Sequence, residues 1–472
     1  MKFILIIIFL IPVKSFALFD KLYLGYIHSN RIKEIELSAD FTEQNYIIGK
    51  NKYSFELGIN GAQSESGLQS LLVFNSNETK TTTKGISLSK SSYKFGTLTF
   101  EHKQLSYDIS KWSSSSLTSY ESDQLYESKN TITYQYNFFN KDRIVDWEVN
   151  ELQFKSSQIK DKELVDTDRM NFFNSYLGAK LRVFLDRLYK ENKKKSEQRV
   201  SLLQKRVKDG LSRSVDLNQA YLSLYNQEEL ILKNYSELRH NIASIEEIIK
   251  VNISEKDYKD LGWSFKRKEQ FNFIKMPSEF NETKYLELTN LLNQKRVEIE
   301  KTLDSHKLYL NLSYSKNNYA TDQSESLSDV FDASGGEEKI VSLQYTIPLG
   351  MNKRRALKNK LLLQEQLSKL NLDNRKGQLM VDAKVYIENI ERYEEAIKLN
   401  DKKIKVSERI VDENQRLYLR GQASFEEVLR ADENLINTKI SKINMLYLYE
   451  STISKLAFLN NDIKTFLQTY KD

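Results

Sequence analysis

Residues that could bind a metal or catalyse a reaction are few and scattered along the chain. The histidines are His28, His102, His240 and His306, and their spacing is not that of a metal site. No cysteine occurs, so disulfides and thiolate metal sites are excluded. Acidic residues are numerous, but neighbouring carboxylates are expected on any charged helical face. The sequence contains no phosphate-binding loop, nucleophile elbow or HExxH motif. We therefore predict a protein that is not an enzyme and uses no metal or other cofactor.

Two short polar stretches interrupt long runs of helix-forming residues. The first, RVKDGLSRSVDLNQA, spans 206–220, and the second, LYLRGQASFEEVLRA, spans 417–431. Three pairs of corresponding residues are each 211 positions apart: Gly210 and Gly421, Asp216 and Glu427, and Ala220 and Ala431. A spacing kept over three pairs predicts that the chain is internally duplicated.

Each polar stretch has the composition of a turn between two antiparallel helices. Gly210 and Gly421 can adopt the left-handed conformation that ends a helix, and the serines and acidic residues after them can cap the next one. Ser424 and Glu427 have the spacing of a capping box. A functional role would be additional to this structural one.

Long helices are predicted on the N-terminal side of both turns, from Val145 to about Val207 and from Met351 to about Leu419. Their apolar residues follow a heptad step amid charged residues. At ~1.5 Å per residue, each helix would approach ~100 Å in length. Outside one apolar seam these helices are polar. They therefore need partner helices to bury that seam.

Four segments alternate apolar and polar residues, beginning at Tyr53, Ile132, Leu308 and Val341. Each spans about nine residues, which is the length a tilted strand needs to cross a bilayer. A half-buried soluble sheet shows the same alternation. The aromatic content, 27 tyrosines and 23 phenylalanines, favours the membrane interpretation. A further possible hairpin at 85–102 leaves the number of strands open.

The N-terminal residues 1–17 predict a secretory signal peptide that is cleaved after Ala17. This segment is too short for a membrane-spanning helix, and no apolar run of about eighteen residues or more follows it. The net charge of +6, from 71 basic and 65 acidic residues, is close to balance and argues against nucleic-acid binding. We therefore expect the mature chain to begin at Leu18 and to lie outside the cytoplasm.

Four strands are too few to close a membrane barrel. An open edge in hydrocarbon would leave backbone groups unpaired, at several kcal/mol each, and natural barrels begin at about eight strands. The chain is therefore expected to borrow strands from copies of itself.

The order of these segments resembles the TolC-like outer-membrane efflux proteins, also called outer membrane factors. The motifs that carry the resemblance are R-x-x-x-G-L-x-x-x-x-D-x-x-x-A from Arg206, Y-x-x-G-x-x-S-x-x-E-V-L-x-A from Tyr418, and SLQYTIPLG at 342–350. The resemblance implies a mostly α, internally duplicated homotrimer. Long antiparallel coiled-coil helices would form an α-barrel, and about four β-strands per protomer would form a twelve-stranded membrane β-barrel.

The corresponding domain organisation begins with the signal peptide. The expected segments are 1–17 for the signal, 18–252 for the first repeat, 253–285 for an irregular equatorial segment, 286–462 for the second repeat and 463–472 for a C-terminal tail.

The function implied by the resemblance is a porin-like exit duct in the outer membrane of a Gram-negative bacterium, extending into the periplasm. Such a duct passively conducts substrates for a tripartite drug-efflux pump or for type I secretion. Its partners would be outer-membrane lipid, a periplasmic adaptor (membrane fusion protein) and an inner-membrane transporter. The alternative is a periplasmic coiled-coil scaffold or adhesin without channel activity.

The resemblance also implies a closed periplasmic tip at the two turns. Tyr418 matches the gate tyrosine, Asp216 matches the aspartate that it bonds, and Glu427 matches the first acidic ring. Ala423 stands where the gate arginine would be, and Arg430 where the second acidic residue would be, so the predicted lock is partial. The alternative is that Tyr418 packs in the seam and Asp216 favours its helix N-terminus. The residues expected at the tip, where the adaptor would dock, are Gly210, Leu211, Gly421 and Ser424.

Overall fold

The computed structural model describes most of the chain. The described residues are 18–66, 78–111, 124–138, 141–258, 263, 268–303, 307–330, 336–347 and 351–470. The predicted signal peptide with its cleavage site at Ala17, and His306, lie outside these residues.

The described part of the chain is mostly helical, as predicted. Its α-helices are α1 (Leu18–Ile27), α2 (Asn30–Asn51), α3 (Lys141–Lys208), α4 (Ser214–Ile249), α5 (Glu255–Tyr258), α6 (Asn281–Leu303), α7 (Gln323–Asp329), α8 (Met351–Leu419), α9 (Phe425–Leu459) and α10 (Ile463–Thr469). The two helices predicted before the turns are confirmed as α3, of 68 residues, and α8, of 69 residues. Among the described residues, no helix combines the length and apolar character needed to cross a membrane.

The strands of the described chain form one antiparallel sheet in sequence order. They are β1 (Phe55–Ser66), β2 (Glu78–Ser92), β3 (Gly96–Lys111), β4 (Leu125–Asn137), β5 (Lys307–Ala320) and β6 (Gly336–Thr346). The four segments recognised by their alternation overlap β1, β4, β5 and β6, and residues 348–350 at the end of the last segment lie outside the described residues.

The prediction of about four strands per chain is wrong, because the described residues form six. The possible hairpin at 85–102 lies within β2 and β3, which are inserted between β1 and β4. Its apolar positions are confined to short pairs, such as Ile86 with Leu88, and are followed by serine and lysine. The alternating signal of β2 and β3 is therefore weaker than that of the other four strands.

The structure divides into two compact units. The helical unit comprises the described residues up to Asp40, Ser157–Glu287 and the described residues from Asn371 onward. The sheet unit comprises Phe41–Ser156 and Leu288–Leu370. Each unit contains segments from both halves of the chain, so the two units do not correspond to the two halves of the sequence. The predicted segment boundaries at 252, 285 and 462 stay predictions.

The core of the helical unit contains an aromatic cluster formed by α1, α3, α10 and Tyr470, which directly follows α10. The ring of Phe19 lies 5.0 Å from that of Tyr176 and 4.8 Å from that of Tyr470, measured between centroids. Phe173 and Phe466 meet edge to face at 5.0 Å. Residues that are distant in sequence therefore close one core.

A lysine lies inside this aromatic core. Lys180 is 2% exposed, and its Nζ donates a hydrogen bond to the hydroxyl of Tyr470 at 2.9 Å. That hydroxyl donates to Glu450 Oε2 at 2.7 Å, and Trp263 Nε1 donates to Glu450 Oε1 at 2.7 Å. The Lys180 ammonium also lies 5.3 Å from the centre of the Trp263 ring. A buried charge is costly unless it is paired, and this network connects the lysine to a carboxylate through one hydroxyl.

The sheet unit has its own aromatic cluster where β1 begins and where β2 turns into β3. The ring of Tyr93, in the turn, stacks on that of Trp147 of α3 at 5.5 Å, and the ring of Tyr53 lies 6.4 Å from Trp147. Aromatic pairs of this kind contribute about 0.5–1.5 kcal/mol beyond the area they bury. The β2–β3 turn is thus held against the start of α3.

Replacing Phe466 by alanine should destabilise the helical unit by about 3–5 kcal/mol, because the ring is 1% exposed and its removal leaves a cavity. The matched control is Phe466→Leu, which keeps most of the volume and should cost less than about 1.5 kcal/mol. Denaturant unfolding followed by Trp263 fluorescence, with Trp112 and Trp147 replaced by phenylalanine, measures both. Equal losses for the two variants would contradict the packing described for α10.

Candidate functional site at the helix turns

The first turn joins α3 to α4 and ends α3 in a left-handed glycine. Gly210 has φ of 72°, and the amide of Leu211 donates to the carbonyl of Arg206 at 2.7 Å. This hydrogen bond spans five residues and is typical of a Schellman motif, which needs a positive φ at the glycine position. The predicted role of Gly210 in ending the helix is confirmed.

The second turn joins α8 to α9 with the same geometry. Gly421 has φ of 75°, and the amide of Gln422 donates to the carbonyl of Leu417 at 2.9 Å. The predicted capping box is also confirmed: the amide of Ser424 donates to Glu427 Oε2 at 2.8 Å, and the amide of Glu427 donates to Ser424 Oγ at 3.2 Å. The two turns therefore end their first helix in the same way. The predicted side-chain cap of α4 is wrong, because its N-cap residue is Arg213 and makes no side-chain cap hydrogen bond.

A small apolar cluster packs the first hairpin, α3 with α4, against the second, α8 with α9. Its buried members are Val200, Leu203, Ala220 and Phe425. The ring of Phe425 lies 5.6 Å from that of Tyr418. One helical turn beyond Val428, Asp432 pairs with Arg199 across the hairpins, and both side chains are mostly buried. The turns are thus held together within one chain.

The hydroxyl of Tyr418 faces the first turn but lies beside Ser212 and not beside Asp216. Its distance to Ser212 Oγ is 3.2 Å. Arg206 Nε donates to the same Ser212 oxygen at 3.1 Å, and the Arg206 guanidinium lies 5.1 Å from the centre of the Tyr418 ring. The carboxylate of Asp216 lies 4.0 Å from Arg213 Nε. Within one chain, Ser212 thus takes the place expected for Asp216.

The charged residues predicted near the turns bind groups within four residues of themselves in the sequence. Glu427 closes its capping box, so its carboxylate is directed at the backbone of Ser424. Arg430 donates to Glu426 at 2.5 Å, four residues earlier on the exposed face of α9. An exposed pair of this type contributes about 0.3–0.5 kcal/mol. The side chain of Arg430 therefore brings positive charge beside the acidic residues of this turn.

The first turn also exposes apolar surface. Leu211 is 67% exposed, and Val215, in the first turn of α4, is 59% exposed. With Gly210 beside it, Leu211 protrudes from the end of the hairpin.

Three residues that link the turns were not assigned this role from the sequence. Arg206 was assigned only as part of a motif, and Ser212 and Asp432 were not singled out. Their partners lie more than 200 positions away, so only the packing of the two hairpins identifies them. The single available signal was that Ser212 follows Gly210 by two residues, where a helix-capping side chain is common.

Metal binding has no support in this region or elsewhere in the described part of the chain. Among those residues, no three histidine, aspartate or glutamate side chains are grouped so that they could hold a metal ion.

Comparison by sequence identifies no relative. No family model matches the chain, and no curated protein matches it.

Comparison by structure identifies the fold: the chain has the fold of the TolC-like outer-membrane channels, as the sequence motifs predicted. VceC, an outer membrane protein of Vibrio cholerae, is 12% identical with a TM-score of 0.67, over 94% of this chain and 96% of VceC. CusC, a transmembrane channel protein, is 13% identical with a TM-score of 0.67, over 96% of this chain and 92% of CusC. The open-state MtrE outer membrane channel of Neisseria gonorrhoeae is 12% identical with a TM-score of 0.66, over 95% of this chain and 89% of MtrE.

Replacing Gly421 by alanine should loosen the second turn by about 1 kcal/mol, because φ of 75° is unfavourable for any residue with a Cβ. No atom lies within 4 Å of the added Cβ, so the cost is conformational and not a clash. Hydrogen exchange of the turn amides, including that of Gln422, should accelerate roughly fivefold. The matched control is Gly377→Ala within α8, which also has space for a Cβ and should slow local exchange. Equal exchange in both variants would contradict the assignment.

Proposed function

We propose that this protein is an outer-membrane exit duct that assembles as a homotrimer in a Gram-negative bacterium. In this proposal it passively conducts substrates delivered by an inner-membrane transporter and a periplasmic adaptor, for efflux or for type I secretion. The observation that carries the proposal is the sheet, which has one apolar face and two open edges in a chain with the fold of outer-membrane channels. Conduction, rather than chemistry, is the activity that this arrangement supports.

The apolar face is exposed on every strand. Examples are Leu57 of β1, Leu98 of β3 and Leu343 of β6, which are 66%, 50% and 65% exposed. Cross-strand partners on the opposite face, such as Gly58, Ser87 and Glu101, are small or polar. A soluble protein would cover an apolar face of this size with another layer, whereas lipid covers it in a barrel.

The sheet edges support assembly from copies. Within the described residues, β1 pairs only with β2 and β6 only with β5, so one edge of each strand is open. An open edge in hydrocarbon leaves backbone groups unpaired at several kcal/mol each. Pairing of β1 with β6 of a neighbouring copy removes both edges, and the resemblance to TolC-like channels favours three copies.

The two turns are proposed to form the periplasmic tip. Exposed Leu211, with Gly210, Gly421 and Ser424, would be the docking surface for the adaptor. The contact between Tyr418 and Ser212 joins the two hairpins of one chain, and in the proposal it restrains the closed tip. Asp216, Glu427 and Arg430 would line the entrance, with Arg430 reducing the preference for cations.

An outer-membrane duct should sediment with outer membranes, resist carbonate extraction and migrate as a detergent-stable oligomer of three copies. Because the chain has no cysteine, Leu57→Cys can be combined in turn with cysteine at Val341, Leu343 or Tyr345 of β6. One of these registers should give oxidative cross-links between copies. Release by carbonate, with no cross-link in any register, would instead indicate the periplasmic scaffold or adhesin.

Removing the contact between the hairpins should widen the tip. Tyr418→Phe and Ser212→Ala are each expected to raise single-channel conductance in planar bilayers, because each removes the same hydroxyl contact. The matched control is Tyr221→Phe, whose hydroxyl accepts from Gln204 within the first hairpin and should leave conductance unchanged. If Asp216→Ala opens the channel while Ser212→Ala does not, the aspartate holds the gate and the assignment of Ser212 is wrong.

A further inference from the structure

We propose that all six strands of each chain lie in the membrane, so that three copies close an eighteen-stranded barrel instead of a twelve-stranded one. This inference rests on the proposed function, which supplies the membrane and the three copies. What it adds to that proposal is the location of β2 and β3 in the barrel wall. The alternative is that these two strands project outside the bilayer.

The first argument is the pairing of the inserted hairpin. β1 pairs with β2 without a register shift from Phe55 opposite Lys90 to Ser66 opposite Thr79. β3 pairs with β4 over eleven residues, from Thr97 opposite Gln135 to Tyr107 opposite Leu125. β1 and β4 are therefore separated by two full strands, at ~4.8 Å per strand. Ejecting β2 and β3 from the wall would break both ladders.

The second argument is that the inserted strands share the faces of their neighbours. One row of opposed residues runs through Leu57, Leu88, Phe100 and Ile132, each at least 43% exposed. The row continues to Tyr314 of β5. An apolar row that crosses four strands at one level is what a lipid-facing belt requires. A hairpin projecting into water would gain nothing from placing Leu88 and Phe100 in this row.

The opposite face supports the same conclusion. The adjacent row runs through Gly58, Ser87, Glu101, Thr131 and Ser315. Charged residues follow one level further along, where Lys103 pairs with Glu101 on β3 at 2.9 Å. These side chains suit a water-filled lumen. In the inserted strands, Ile86, Leu88, Leu98 and Phe100 thus lie on one face, in phase with the apolar residues of the neighbouring strands.

The third argument is that the β2–β3 turn is fixed at the helical end of the sheet. The ring of Tyr93 stacks on Trp147, and the hydroxyl of Tyr134 on β4 donates to the carbonyl of Phe95 at 2.7 Å. Gly96 has φ of 84°, and a Cβ there would lie 2.2 Å from the carbonyl oxygen of Gln135. The turn therefore packs closely against β4 and α3.

The consequence is a wider mouth. With strands ~4.8 Å apart and tilted by ~40°, eighteen strands give a barrel of roughly 36 Å across the backbone, against roughly 24 Å for twelve. Measured across the backbone, the barrel would be about one and a half times as wide. Barrels of this strand number leave an aqueous channel.

The test uses single-cysteine variants labelled with an environment-sensitive fluorophore, which the absence of native cysteine allows. The trimer is reconstituted in phosphatidylcholine vesicles whose acyl chains carry bromine, a quencher that reaches only lipid-facing labels. Leu88→Cys on β2 is compared with Ser87→Cys, its neighbour on the opposite face. Leu343→Cys and Ser342→Cys on β6 are the matched reference pair outside the inserted hairpin.

Eighteen strands require the label at 88 to lose as much fluorescence as the label at 343, with little loss at 87 or 342. Quenching at 343 without quenching at 88 would place the hairpin outside the bilayer and overturn this inference, while the proposed duct would stand. Absence of quenching at both 88 and 343 would overturn the membrane barrel itself, and with it the proposed function. A dimer by native mass spectrometry would refute the count of eighteen.

Discussion

The hydrogen-bonding capacity of a sheet edge is the constraint on which the proposed architecture depends. In the described chain, the strands run in sequence order from β1 to β6 and leave the outer sides of these two strands open. The same sheet has one face of exposed apolar side chains. Lipid can cover that face but cannot satisfy edge amides and carbonyls, so only closure with further strands is compatible with a membrane. If the proposed function is correct, assembly is thus a requirement of the fold and not an addition to it.

In the helical unit the long polar helices reverse direction twice, and the backbone groups at each helix end need hydrogen-bond partners. Both reversals use a glycine at positive φ and a backbone hydrogen bond across five residues, at Gly210 and at Gly421. Only the second adds a capping box, through Ser424 and Glu427. The first turn instead carries the exposed Leu211 and the serine that contacts Tyr418. The two turns are therefore alike in backbone and different in the surface they offer.

Sequence reasoning predicted the features that depend on local periodicity and failed where distant packing decides. The boundaries of α3 and α8, and the positive φ of Gly421, follow from the heptad step and from turn chemistry. β2 and β3 were harder to recognise, because Leu88 and Phe100 stand among serine, lysine and threonine and acquire meaning only beside Leu57 and Ile132. The expected partner of Tyr418 was Asp216 by analogy with relatives. Ser212 takes that place within the chain because the packing of two hairpins far apart in sequence, which no local pattern encodes, brings its hydroxyl to that of Tyr418.

The aromatic core of the helical unit has a consequence for how the protein is made. The ring centroids of Phe19 and Tyr470 lie 4.8 Å apart although nearly the whole chain separates them, and the hydroxyl of Tyr470 is hydrogen-bonded to both Lys180 and Glu450. Contacts between residues so far apart form late, because the entropy of closing the intervening chain must be overcome first. A chain emerging through a membrane would therefore carry its first aromatic residues uncovered until its last helix arrives. Protection of that intermediate against aggregation would then be part of the protein's biology, alongside the proposed transport function.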